Sequence, residues 1–73
     1  MKIIGNIRYV NLSGGFWGIE ADNGQKYQPV DKIPPQLRQD GLRIKATVQP
    51  VSTFGIFMWG QDVEIREISK ISE

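Results

Sequence analysis

A catalytic nucleophile needs a base beside it, and this chain has no histidine or cysteine to supply one. Ser13, Ser52, Thr53 and Ser69 have no evident activating partner, and most of them fall where turns or strand starts are expected, which is ordinary turn chemistry. Two carboxylate pairs have the spacing for acid–base work: Glu20 with Asp22, and Asp62 with Glu64. Each has a plainer explanation. Asp22 precedes an Asn-Gly turn, Asp62 follows a Gly-Gln bend, and Glu20 and Glu64 are strand residues that can face water or a cross-strand lysine. The glycines in "GNIRYVNLSGG" lack phosphate-loop spacing, and no Gly-Lys-Ser/Thr follows them. Without His or Cys the residues offer no zinc site, no cofactor is indicated, and the reading is of a protein that is not an enzyme.

The aromatic residues are the stronger lead. Phe16, Trp17, Tyr27, Phe54, Phe57 and Trp59 all fall on expected strands, with Arg43 and Lys45 on the outward face of the fourth strand and Arg8 and Lys26 within reach of joining them. Barrels that grip single-stranded nucleic acid stack bases on exposed rings and follow the backbone with basic groups. From this set Trp17, Tyr27, Arg43, Lys45, Phe57 and Trp59 are the candidate contact residues. The competing explanation is packing, because a core this small needs large side chains. The charge favours packing: nine Lys+Arg against eight Asp+Glu leave +1, far from the basic stripe of a dedicated duplex binder.

These side chains need elements to hold them. Seventy-three residues make one domain, spanning 1–73. A chain of this size buries only about 60% of the surface its unfolded form exposes. It has no disulfide to staple it, so close packing or association must supply its stability. Lys2–Asn11 reads as a first strand with Ile3, Ile7 and Tyr9 on one face, and Gly5 suggests a bulge or bend. Ser13-Gly14-Gly15 forms a turn into a second strand, Phe16–Ala21, where Trp17 and Ile19 share the face opposite Phe16 and Gly18. Trp17 is expected in the core and Phe16 partly covered at the barrel mouth. Asn23-Gly24 predicts a type I′ hairpin into a third strand, Gln25–Val30, with Pro29 at an edge or strand end. Pro34-Pro35 and Gly41 bracket one short helical turn over Pro35–Gln39, with Leu37 inward. Leu42–Gln49 alternates cleanly, with Leu42, Ile44, Ala46 and Val48 facing the core. Thr53–Trp59 is a further strand with Phe54 and Met58 on one face and Phe57 and Trp59 on the other. Val63–Ile68 is a last strand or a continuation past a kink, and Ser69–Glu73 is expected to fray.

Three meandering strands, a helical turn, then two or three strands is the order of an OB-like barrel. The fold class is therefore all-β, a five- to six-stranded OB-like barrel with one helical turn between the third and fourth strands and the last strand closing against the first. An SH3-like barrel is the rival architecture.

Taken together, "GGFWGIEADNGQKYQPV", "IPPQLRQDGLRIKATVQP" and "FMWGQDVEIREI" resemble a group of small prokaryotic domains without an agreed activity. In these a Gly-Gly-aromatic strand leads to an Asp/Asn-Gly hairpin, a Tyr-x-Pro, a "DGLR" and an "MWG" before a final "VEI" strand. The resemblance runs from Gly14 to Ile68 and implies a small β-barrel, free-standing or carried on lipoproteins, but transfers no catalytic residues. This chain departs from the lipoprotein members in lacking a lipobox cysteine, so no membrane anchor is implied, and it carries a double proline where one is usual. No run is long enough to span a membrane and none reads as a signal peptide, so the expected location is the cytoplasm. The leading functional expectation is a non-catalytic binding or protein-interaction module, through a protein partner or self-association. The alternative is single-stranded nucleic-acid binding, and a small enzyme ranks last.

Overall fold

The computed structural model describes residues 1–12, 14–31, 33–51 and 59–71. Among these residues five strands form a closed barrel: β1 (Lys2–Val10), β2 (Phe16–Ala21), β3 (Lys26–Pro29), β4 (Arg43–Pro50) and β5 (Gln61–Lys70). One 3₁₀ turn, Pro35–Leu37, lies between β3 and β4, and Leu37 is buried as its position predicts. The chain is thus an all-β barrel, with its described helical turn between the third and fourth strands as expected.

The order around the barrel is β1-β2-β3-β5-β4. This corrects the expected closure of the last strand against the first. β1 is long enough to serve two neighbours: its second half pairs with β2, and its first half, Lys2–Asn6, pairs antiparallel with β4. β5 therefore completes the ring elsewhere, antiparallel to β4 and parallel to β3. Of the bulge or bend expected at Gly5, the bulge is absent, since the register there is unbroken. The shift lies opposite Thr47/Val48, where Arg66 of β5 is left without a counterpart. Its cause is written in "VEIREI". Val63 and Ile65 alternate inward, and the next apolar residue, Ile68, comes three positions on. One extra residue is needed to return it to the inside.

The β2–β3 turn also differs from expectation. The Gly24 N–H donates to the Ala21 carbonyl at 3.0 Å, and the Ala21 N–H donates to the Gln25 carbonyl at 2.8 Å. Asp22, Asn23 and Gly24 thus make a three-residue loop in place of a two-residue type I′ turn, with Gly24 at φ +89°. The Asn23 Oδ1 accepts the Gln25 N–H at 2.9 Å and fixes the loop's exit. β5 runs on through Ser69 and Lys70, which pair with Lys45 and Ile44, and the Ile71 N–H donates to the Arg43 carbonyl at 3.0 Å. The expected fraying from Ser69 is corrected accordingly; Ser72 and Glu73 lie outside the described residues.

The core holds Ile3, Ile7, Ile19, Tyr27, Ile44, Val48 and Val63 from the strands, and Ile33 and Leu37 from the β3–β4 connection. Leu42 faces the core as expected and packs against it, partly buried. No helix among the described residues is long and apolar enough to cross a membrane.

Candidate binding face

On the outside of the barrel, β2 presents Phe16, Gly18 and Glu20, because Trp17, Ile19 and Ala21 point the other way. Beside them stand Arg8 of β1, the partner of Gly18, and Lys26 of β3, the partner of Glu20. Trp59 lies across this wall. It belongs to a bend just before β5 and not to a strand, a correction to the expectation of Thr53–Trp59 as a strand, whose residues 53–58 lie outside the described residues.

The seat of Trp59 depends on Gly18. A methyl group there would stand 2.6 Å from Cη2 and 3.2 Å from Cε3 of the indole, so any larger residue would push the ring away. The Phe16 ring meets the indole edge-to-face, with centroids 5.6 Å apart and planes at 80°. The Lys26 Nζ stands 5.4 Å from the indole centroid, within cation–π range. Phe16 is thus half-covered, as expected, but by Trp59 on the outer wall.

A second aromatic pair occupies the barrel mouth. Tyr9 and Trp17 are cross-strand partners with centroids 5.1 Å apart at 66°. Trp17 packs against the core, whereas Tyr9 is 48% exposed. Tyr9 is absent from the sequence-derived aromatic set because alternation places it on the core face with Ile3 and Ile7. The missed signal is its pairing with Trp17 across the Gly-Gly turn, one residue before the end of β1.

The remaining sequence candidates are dispersed. Tyr27 is 5% exposed and lies in the core. Arg43 sits on β4 and makes two hydrogen bonds to the Asp22 carboxylate, at 2.6 and 2.8 Å, and one to the Asn6 Oδ1 at 3.2 Å. These bonds hold the Asp22 carboxyl below the usual carboxylate range, the hydrogen bonds from Arg43 being the main cause. Lys45 is exposed further along β4, which is not adjacent to β2 or β3 in the ring. Phe57 lies outside the described residues. Trp59 therefore meets Gly18, Phe16 and Lys26, whereas Arg43 and Lys45 stand on β4, which neighbours neither β2 nor β3.

Of the carboxylates, Asp22 is bound to Arg43 and Glu64 lies 3.1 Å from Arg66, while Glu20 stands opposite Lys26 in the β2–β3 register. Compared with family models, with curated proteins and with solved structures, the chain matches none.

Proposed function

We propose that this chain is a non-catalytic binding module whose contact surface is the outer wall of β1–β3 with Trp59. The observation that carries the reading is Trp59 itself. The core cluster is assembled without it, yet β2 keeps a glycine in mid-strand to receive its ring. A glycine there costs about 0.5–1 kcal/mol relative to alanine, and what it admits is a half-buried aromatic ring on the outer wall, within reach of a partner. With a net charge of +1 and apolar groups such as Ile4, Tyr9 and Leu12 exposed, a protein partner or a second copy of the chain is the first occupant to consider. In this reading the barrel stands with the small prokaryotic domains that its sequence resembles.

A second reading, single-stranded nucleic acid, is favoured by Lys26 and Arg8 flanking the outward aromatic pair. OB barrels bind oligonucleotides on the β2–β3 face and its neighbouring loops. The two readings separate in one set of measurements on the intact chain. Under the first, sedimentation over a wide concentration range shows association, or a native lysate yields a partner, and Trp59→Ala abolishes it. Monomer throughout with an empty pull-down removes that reading. Under the second, an oligonucleotide quenches tryptophan fluorescence at low salt and loses affinity as salt rises; no quenching at low salt removes it.

A further inference from the structure

The site that Trp59 fills has the features of a ligand seat more than of a packing contact. Its floor is the bare backbone of Gly18, which admits a flat ring and excludes a branched one. Phe16 supplies an aromatic edge and Lys26 a cation near the ring. Arg8, directly across from Gly18, holds Asp40 only at 3.9 Å, an exposed and weak pairing that leaves its charge available. Gln28, two residues beyond Lys26 on the same face of β3, has a buried Oε1 with no hydrogen-bond partner among the described residues. Among the described residues the indole makes no hydrogen bond and meets an aromatic edge, a cation and the Gly18 backbone.

We infer that Trp59 is the resident occupant of a ring-binding seat on β2, and that a nucleotide takes this seat once the indole swings out. The inference rests on the reading of this wall as the contact surface and names its ligand chemistry. The planar base replaces the indole on Gly18, its phosphate meets Lys26 and Arg8, and Gln28 Oε1, unpartnered while the indole is in place, accepts a base N–H. The closed seat is thus an autoinhibitory contact. Apparent affinity is lowered by the fraction of molecules in which Trp59 is in place.

Trp59→Ala should open the seat. Free indole is then expected to shift the amide resonances of Gly18, Lys26 and Gln28 in this variant and not in the wild type. Adenosine 5′-monophosphate is expected to bind the variant about tenfold more tightly than the wild type, for a seat that is closed about nine-tenths of the time. Trp59→Leu, whose branched side chain cannot lie flat on Gly18, serves as the second variant and should behave alike. Adding Gly18→Ala should abolish indole binding while circular dichroism stays unchanged. The inference is overturned if neither ring binds the opened variants, if indole binding survives Gly18→Ala, or if the nucleotide binds wild type more tightly than Trp59→Ala, which would make the indole a stacking platform. Failure on any of these counts leaves the sedimentation and pull-down result standing, because a protein partner can bind the wall with Trp59 seated.

Discussion

Arg43 and Asp22 show how a single pair of side chains ties distant parts of the chain. The two hydrogen bonds anchor the tip of the β2–β3 hairpin to β4, and Asn6 of β1 takes a third. A carboxyl whose pKa is lowered on folding binds a proton less readily in the folded protein than in the unfolded chain. The pair therefore contributes stability above about pH 4, and that contribution disappears as pH falls through the lowered folded value. Asp22→Asn keeps the turn chemistry but removes the charge. Its urea midpoint should lie below that of the wild type at pH 7, and the gap should close as pH drops below about 4. A gap that stays constant to pH 3 would show that the charge is not what the pair contributes. This anchoring was not legible beforehand. Outward alternation marks Arg43 as solvent-facing, which it is, but only the ring order reveals that a hairpin tip lies within its reach.

At the scale of elements, local patterns carried most of the fold. β2 and β4 were readable from alternation, and the 3₁₀ turn from its prolines and Gly41, because each signal lies within one short window. Closure was not readable, since which strand fills the gap depends on contacts between segments far apart. Trp59 was readable as an aromatic of interest but not as a ring seated on Gly18, because that contact joins the β4–β5 connection to the outside of β2. The end of β5 was misjudged for a related reason: "ISK" looks like a tail until the register with β4 gives Ser69 and Lys70 partners. The Ile71 amide, bonded to the Arg43 carbonyl, should accordingly exchange with deuterium far more slowly than an unstructured amide. Exchange there at the unstructured rate would show that β5 ends earlier. On the side away from β4, residues 66–70 form an open edge among the described residues, and it is blunted by the Arg66 bulge and by Lys70, devices that discourage strand addition.

For the whole molecule the margin is narrow. The radius of gyration, 11.3 Å, is what a compact chain of this length should have, and a total stability of about 4–11 kcal/mol is typical for its size. Ile44 is fully buried on a strand with neighbours on both sides. Ile44→Ala should cost about 2–5 kcal/mol, a large share of that total, and should appear as a lower urea midpoint with an unchanged slope. A loss below about 0.5 kcal/mol would mean that the site is not part of the tightly packed core. The ring order has a further consequence, for how the chain reaches this state. The β1–β2–β3 meander joins neighbours in sequence and can zip up by local turns. Ile3 against Ala46 and Tyr27 against Gln61 must instead be brought together across long stretches of chain. The entropy of closing those loops falls on the steps that complete the barrel, and it puts this small protein among slow folders, with a half-finished meander exposing its edges until β4 and β5 arrive.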